Sequence, residues 1–244
     1  MKTNEIPEAM SRIALLAGDE MMQRLADTRL TVFGVGGVGS WCVEALARSG
    51  IGNIRIVDSD VVAESNINRQ MPALYSTLGK PKVEVVAQRI ADINPAANVT
   101  ALQARYTPEN GESFHLENDD FIIDAIDSLP DKADLILRCT AKDTAPRMAF
   151  FSSMGAARKL DPAKIRTVEF WKVDGCPLAR ALRTRFRRSG IFPQHKFTCV
   201  YSPETLPHRL EGPAGVNGTF AHTTAIFGLT LANLVITWLY NSHD

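Results

Sequence analysis

The sequence predicts an α/β protein with a mostly parallel β-sheet and helices on both faces of it. Short apolar runs alternate along the chain with segments whose apolar residues recur at helical spacing. Such alternation is typical of parallel sheets that are covered on both sides. A GxGxxG pattern also joins the first run to the first helix that follows it. The chain has 244 residues, and we predict a single domain over 1–244, because α/β folds of this size often form one domain.

The predicted elements begin with a helix over 7–26, which places Ile13, Leu16, Met21 and Leu25 on one inward face. The predicted strands lie at 30–33, 53–57, 99–104, 119–127 and 148–151, and a further strand-like run leads to a turn at Pro203. The predicted helices after the first lie at 38–50, 81–93, 131–142, 177–188 and 219–240.

The last of these helices is long and apolar enough to suggest a membrane span. His222, Asn233 and five threonines interrupt its apolar character, and no basic cluster flanks its end. These features make it a poor span. We therefore predict a buried helix that packs against the sheet, with no membrane as a partner.

The glycine pattern at 34–39 (GVGGVG) predicts a nucleotide site. Gly34, Gly36 and Gly39 occupy the three GxGxxG positions, Gly37 lies between them, and Asp58 ends the second strand nineteen residues after Gly39. This order of strand, turn, helix, strand and acid is that of a Rossmann-like βαβ unit. Phosphate would sit on the N–H groups at the helix N-terminus. The Asp58 carboxylate would accept hydrogen bonds from ribose hydroxyls.

The residues beyond Asp58 favour ATP over NAD. Cations near the phosphates suit an enzyme that cleaves ATP between its α and β phosphates, because they stabilise the charge on departing pyrophosphate. A carboxylate at the C-terminal edge of a strand can hold Mg²⁺, and Asp127 has that place. The candidate residues beyond Asp58 are Asp60, Asn66, Arg69, Gln70, Lys82 and Asp127.

Five separated motifs resemble the adenylating core of the ubiquitin-activating-type (E1-like) enzymes, whose superfamily includes the molybdopterin-synthase and thiamine-biosynthesis sulfur-carrier adenylyltransferases. The motifs are GVGGVG, the Asp58–Asp60 pair, NINRQ at 66–70, Lys82 and DAID at 124–127. The resemblance implies that Asp58 binds the ribose, that Asn66, Arg69 and Lys82 bind the phosphates, and that Asp127 binds the metal.

The run SRIALLAG at 11–18 resembles the opening helix of the same superfamily. In that family its arginine, here Arg12, reaches into the ATP site of the partner subunit. The resemblance therefore implies a homodimer whose active sites are shared, with Arg12 as a catalytic residue beside Arg69, Lys82 and Asp127.

Within the superfamily, the chain resembles the tRNA threonylcarbamoyladenosine dehydratases. The motifs that carry this resemblance are SRIALLAG at 11–18, SGIGNIRIVD at 49–58, IDAIDS at 123–128, LDPAKI at 160–165 and TCVYSPE at 198–204. It implies adenylation of the threonyl carboxylate of the modified adenosine by ATP with Mg²⁺, and then ring closure with release of AMP. It further implies a monovalent cation as a second ion and a cysteine-desulfurase or sulfur-acceptor system as a further partner.

The segment 158–196 is strongly basic. It holds eleven basic residues against three acidic ones, a net charge of +8, although the whole chain is neutral with 27 residues of each sign. Within it, the helix 177–188 turns Leu178, Leu182 and Phe186 inward and carries Arg180, Arg183 and Arg187 on another face. A helix with five arginines and no acid predicts a phosphate-rich partner, which here means tRNA. A solvated face is the simpler alternative.

The other reactive side chains carry weaker signals. The four cysteines contain no CxxC pair, which argues against a disulfide framework and against a zinc site. Cys199 could be a nucleophile, as in relatives that form thioesters, but a buried cysteine is the more common case. Cys42 is expected in the core, and His195, His208 and His222 lack metal-ligand spacing. The N-terminus shows no secretory signal, so we expect a cytoplasmic protein.

Three other functions stay open at this point. A sulfur-carrier adenylyltransferase would share the ATP site but activate the C-terminal glycine of a small protein; the zinc cysteine pairs usual in that branch are missing here. A dehydrogenase would bind NAD. A non-catalytic nucleotide-binding scaffold would have no use for Arg69, Lys82 and Asp127. The loop at 211–218 is glycine-rich and could line the substrate site.

Overall fold

The computed structural model describes residues 6–142, 148–211, 213 and 216–242. Within those ranges, its strands are β1 (Arg29–Phe33), β2 (Asn53–Val57), β3 (Asn98–Leu102), β4 (Phe121–Asp124), β5 (Ala149–Ser153), β6 (Arg166–Glu169) and β7 (Thr198–Tyr201). Its α-helices are α1 (Ser11–Asp27), α2 (Gly39–Arg48), α3 (Lys82–Ile93), α4 (Leu129–Cys139), α5 (Pro177–Ser189) and α6 (Ala221–Asn241).

The seven strands form one sheet in the order β3-β2-β1-β4-β5-β7-β6. Neighbouring strands run parallel except β6, which pairs with β7 in the antiparallel direction. The chain builds outward from β1 through β2 and β3 on one side, and through β4 on the other. The order therefore reverses between β1 and β4, and ligands of such sheets bind beyond the carboxyl ends of the strands at this switch point.

Alternating side chains of the strands serve two separate cores. Leu30 and Val32 of β1 pack with α1, α2, α3 and α6 on one face of the sheet. Phe33 faces the opposite side, where α4 and α5 pack. The predicted α/β class, with helices on both faces of a mostly parallel sheet, is confirmed.

The helix α6 packs closely on α2. A β-carbon on Gly228 would lie 2.3 Å from the carbonyl oxygen of Val38 and 2.8 Å from the amide nitrogen of Cys42, so only glycine permits this approach. By length and composition α6 could cross a bilayer, yet one side of it, including Phe227, Leu231 and Val235, is buried in the core. This matches the predicted core helix.

The structure corrects three element predictions. Leu16 does not face inward: it is 81% exposed, because Gly18 (φ +77°) interrupts α1 and shifts the phase of its apolar face. Strand β4 spans Phe121–Asp124 rather than 119–127, since residues 125–128 form the connection to α4. Strand β6 was not predicted at all, because Arg166–Glu169 lies at an edge of the sheet and is only half-buried at best.

Candidate functional site

The glycine loop after β1 contacts the turn after β4, at the switch point of the sheet. The amide of Gly34 donates to the Val57 carbonyl (2.8 Å) and the amide of Ala125 donates to the Phe33 carbonyl (2.8 Å). Gly34 has φ +86°, and a β-carbon there would lie 2.8 Å from the Ala125 carbonyl oxygen. A β-carbon on Gly39 would lie 1.8 Å from the Gly34 carbonyl oxygen. Glycine at 34 and 39 therefore lets the loop fold tightly at the start of α2.

Asp58 lies directly after β2, beside this loop. One carboxylate oxygen accepts the Val35 amide (2.8 Å) and the other accepts the Asp60 amide (2.9 Å). Burial raises the pKa of Asp58, although these hydrogen bonds and the nearby Lys82 oppose that change. Each oxygen retains capacity to accept a further hydrogen bond. The carboxylate is thus fixed in place and can still accept the hydrogen bonds from ribose hydroxyls that the sequence predicts.

Lys82 begins α3 and forms an ion pair with Asp60. Its Nζ lies 2.7 Å from the Asp60 carboxylate, and the lysine side chain is only 5% exposed whereas that of Asp60 is 63% exposed. Two residues predicted for the nucleotide site, Asp60 and Lys82, are therefore joined by this ion pair, and Asp60 holds the ammonium group in place.

The loop 66–70 lies between the glycine loop and the start of α6. The Asn66 side chain accepts the Ala63 amide (3.1 Å), and the Arg69 guanidinium donates to the Ser65 carbonyl (2.9 Å). Carbon atoms of the Arg69 side chain lie near Gly37, where a β-carbon would be 3.5 Å from Cγ. The Asn68 side chain donates to the Thr219 carbonyl (3.2 Å) just before α6.

Gln70 carries an unsatisfied polar atom beside the glycine loop. It is 8% exposed, and its Oε1 atom has no hydrogen-bond partner among the described residues. A β-carbon on Gly36 would lie 3.6 Å from its Nε2 atom. Buried polar groups normally have partners, so an unsatisfied amide against the glycine loop fits a nucleotide that would supply one.

Asp127 is the exposed carboxylate in the turn between β4 and α4, and no partner for it is found in the described parts of the chain. Mg²⁺ in nucleotide enzymes is commonly bound by one or two carboxylates together with substrate phosphates, so this donor fits such an ion. In the described ranges no group of three or more His, Cys, Asp or Glu side chains could hold a metal without a substrate.

Sequence reasoning missed a buried ion pair beneath Asp127. Asp124 and Lys132 are both fully buried, with 2.8 Å between the carboxylate and Nζ. The pair is linked to the Asp127 turn through Ile126 and to β5 through Ser152. The sequence placed Asp124 in a motif, but nothing local to it pointed to Lys132.

Arg12 lies on the exposed part of α1, ahead of Gly18. Leu15 and Leu16 beside it are 88% and 81% exposed. Among the described residues, no hydrogen bond or ion pair joins the Arg12 side chain to the glycine loop of its own chain. Two exposed leucines next to it mark a surface that a second protein could cover.

The arginines of α5 divide into two groups. Arg183 is half-buried, donates to the Val173 carbonyl (2.7 Å) and lies over the Phe170 ring (5.9 Å), so it joins α5 to the preceding loop. Arg180 and Arg187 are exposed, and their predicted role in tRNA binding stays a prediction. A groove of about 670 Å³ runs along the helix; its lining includes Leu129, Pro177, Arg180, Thr184, Arg185 and Arg188. Leu129, one of the lining residues, lies two residues after Asp127 in sequence.

Cys199 is fully buried in β7, and burial raises the pKa of its thiol. Cys42 is also buried, with its pKa raised for the same reason. A protonated thiol without solvent access is a poor nucleophile, so the core role fits both. His222 contacts the Leu160 carbonyl (2.9 Å) and His208 accepts the Gly218 amide (3.4 Å). Part of the loop 211–218 lies outside the described residues, so its predicted place at the substrate site stays a prediction.

Comparison with known proteins gives the family. The model of the ThiF family matches residues 10–244. A Bacillus subtilis protein named tRNA threonylcarbamoyladenosine dehydratase is 44% identical over 181 residues, which are 74% of this chain and 70% of that protein. The solved Escherichia coli tRNA N6-threonylcarbamoyladenosine dehydratase in complex with ATP is 34% identical, with a TM-score of 0.84 over 95% of this chain and 93% of that chain. Its complex with AMP gives a TM-score of 0.85 at 35% identity. The chain belongs to the ThiF family.

Proposed function

We propose that this ThiF-family chain is an ATP-dependent tRNA dehydratase that converts N6-threonylcarbamoyladenosine in tRNA to its cyclic form. The observation that carries the proposal is the meeting of the glycine loop, Asp58 and the Asp127 turn at the switch point. This arrangement occurs in a chain that matches an ATP-bound dehydratase over 95% of its length. Residues 1–244 are taken as one E1-like adenylating domain, with 158–196 as its basic segment.

The reaction begins by making the threonyl carboxylate reactive. One carboxylate oxygen attacks the α-phosphorus of ATP, the bond to the β-phosphate oxygen breaks, and pyrophosphate leaves. The resulting acyl-adenylate has AMP as its leaving group, which is far better than oxide or hydroxide. A nucleophile of the same modification then attacks the acyl carbon, loses its proton, and releases AMP with the original carboxylate oxygen. The nucleoside has lost one water, and no protein nucleophile is needed, which agrees with the buried Cys199.

The ATP site is assigned to the residues that the fold gathers around the glycine loop. Asp58 binds the ribose, and the backbone of Gly34, Gly36, Gly37 and Gly39 approaches the phosphates with the N-terminus of α2. The phosphate-facing side chains are Asn66, Arg69, Gln70 and Lys82, with Asp60 holding Lys82. Charge on departing pyrophosphate would be stabilised by Arg69 and Lys82.

Asp127 would hold Mg²⁺ together with phosphate oxygens of ATP. The ion, when bound, supplies charge neutralisation at the phosphates. A monovalent cation stays a prediction, because no described residue group distinguishes one.

Arg12 would complete the active site of a second copy of the chain. Within the described part of the chain it makes no hydrogen bond or ion pair with the proposed ATP residues, while the leucines beside it are exposed. A homodimer in which α1 of each subunit reaches the neighbouring site would explain both observations. A cytoplasmic location and an association with a cysteine-desulfurase system also stay predictions.

The tRNA surface is assigned to the exposed arginines of α5. Arg180 and Arg187 keep the role predicted for them, while Arg183 is engaged by the backbone of its own chain. Arg185 and Arg188 line the same groove as Arg180. Arginines without acidic partners bind phosphates mainly through charge.

Pyrophosphate exchange tests this function against its nearest alternative. The protein should exchange labelled pyrophosphate into ATP only when tRNA carrying threonylcarbamoyladenosine is present, because the adenylate forms on that carboxylate. The same tRNA without the modification is the matched control. Exchange that required a small carrier protein instead would identify a sulfur-carrier adenylyltransferase.

A further inference from the structure

We infer that the buried pair Asp124–Lys132 is a positioning device that fixes the turn carrying Asp127, and so sets how well the site binds its metal. The inference rests on the proposed function in one respect, the assignment of Asp127 as the metal ligand. Neither Asp124 nor Lys132 touches solvent. Both act through backbone groups of the turn.

The two side chains hold Ile126 from both sides. Oδ1 of Asp124 accepts the Ile126 amide (3.1 Å), and Nζ of Lys132 donates to the Ile126 carbonyl (3.0 Å). Both polar groups of the residue before Asp127 are therefore bound by one ion pair. The amide of Ala125 is held in turn by the Phe33 carbonyl (2.8 Å).

The pair is itself anchored on β5. Oδ2 of Asp124 accepts the Ser152 hydroxyl (2.7 Å) and faces Lys132. A buried ion pair gives little net stability compared with apolar side chains of similar volume. The pair is fully buried, and its further hydrogen bonds go to the amide and carbonyl of Ile126. We therefore assign it a role in positioning the turn rather than in stability.

The physical consequence concerns Asp127. A carboxylate on a loose turn must be ordered when the ion binds, and that entropy lowers the affinity. Groups that orient a metal ligand typically change metal affinity by roughly 10- to 100-fold when removed. Loss of the pair should weaken the binding of Mg²⁺ beside ATP, so that more Mg²⁺ is needed, and leave nucleotide contacts elsewhere intact.

The test uses the double variant Asp124→Leu/Lys132→Met, which removes both contacts with Ile126. A single change would leave a buried charge unpaired and could prevent folding. Ser152→Ala is the matched control: it removes a hydrogen bond from the same pair and leaves both contacts with Ile126. Calorimetry would measure the Mg²⁺ concentration that half-saturates ATP binding, and the affinity for AMP, on the full chain.

We expect the Mg²⁺ concentration that half-saturates ATP binding to rise by about tenfold or more in the double variant. Its affinity for AMP should stay within about twofold of wild type. Ser152→Ala should match wild type in both measurements. Amide hydrogen exchange at 125–128 should accelerate in the double variant alone. A folded double variant with wild-type exchange in this turn would overturn the positioning role, as would an equal Mg²⁺ shift in Ser152→Ala. ATP binding to the wild-type protein that did not depend on Mg²⁺ would contradict the metal role of Asp127. Faster hydrogen exchange at 125–128 in the double variant would still support the positioning of the turn by the Asp124–Lys132 pair.

Discussion

Asp58 shows how one carboxylate can serve both the fold and a ligand. Its two oxygens each accept a backbone amide, from Val35 and from Asp60, which fixes the carboxylate between the glycine loop and the segment after β2. Because a carboxylate oxygen can accept more than one hydrogen bond, the group remains able to bind ribose. Removing the carboxylate should therefore lower the affinity for the nucleotide.

Asp58→Ala should weaken ATP binding by about 10- to 100-fold, since hydrogen bonds to a charged group contribute about 1.5 to 3 kcal/mol. AMP, which carries the same ribose, should weaken in parallel. Calorimetry measures both, and thermal melting shows whether the variant is folded. Unchanged ATP affinity in a folded Asp58→Ala protein would remove Asp58 from the site.

Glu204 gives a pH-dependent prediction. Amides of Leu160 and Asp161, helped by Lys164, lower the pKa of Glu204 to about 2. The folded state thus favours the ionised form, so its stabilisation is complete above the unfolded pKa of about 4.3 and is lost as pH falls toward 2. Glu204→Gln should be less stable than wild type at pH 7, and the difference should shrink on acidification below about pH 4.5.

Urea unfolding at several pH values measures this difference. Glu211→Gln removes the same charge at an exposed position and serves as the control, with no comparable pH-dependent loss. If the difference in the free energy of unfolding between wild type and Glu204→Gln grew on acidification, the predicted pH dependence would be wrong.

At the scale of elements, α5 combines a structural face with a free one. Leu182 and Phe186 are buried and Leu178 packs against them, as predicted, while Arg183 is tied to the Val173 carbonyl. The side chains of Arg180, Arg185 and Arg188, which line the groove, make no hydrogen bond or ion pair with other described residues. The helix can therefore present charge to a ligand without loosening its own packing.

Replacing Arg180, Arg185 and Arg188 with Gln should weaken tRNA binding most at low salt. Each lost phosphate contact should reduce the magnitude of the slope of log K against log [salt] by about 0.7 to 0.9, with ATP affinity unchanged. Arg183→Gln is the matched control, because it should lower stability and leave the slope alone. An unchanged slope in the triple variant would make the arginine face a solvated surface.

Helices and strands could be predicted from the sequence where the local pattern of apolar residues determines their bounds. Strand β2 has the predicted bounds, Asn53–Val57, since its apolar run ends at Asp58. The turn after Asp124 and the exposure of Leu16 could not be predicted, because they depend on the backbone at Gly18 and on partners distant in sequence. The Asp124–Lys132–Ser152 cluster joins three elements, and no local spacing indicates that contact.

In the whole molecule, Arg12 makes no hydrogen bond or ion pair with the proposed ATP site of its own chain among the described residues. Arg12, Leu15 and Leu16 share an exposed part of α1, and burying two leucines would favour association by about 1.5 to 3 kcal/mol each. The homodimer proposed here would both cover them and supply the arginine.

Mixing Arg12→Ala with Asp127→Ala subunits should restore part of the activity that each variant lacks alone. A hybrid dimer contains one site with neither substitution, so subunit exchange should recover up to half of the sites in that dimer. Sedimentation measures the assembly and a product assay the activity. A fully active wild-type monomer, or no recovery after proven exchange, would contradict the shared site.

Nucleoside mass spectrometry of tRNA that carries threonylcarbamoyladenosine, incubated with the protein, ATP and Mg²⁺, measures the proposed dehydration itself. We expect a nucleoside lighter by one water, formed only with ATP, together with AMP and pyrophosphate in equal amounts. Replacement of ATP by NAD should give no product. An unchanged nucleoside in the presence of active protein that binds ATP would contradict the dehydratase function.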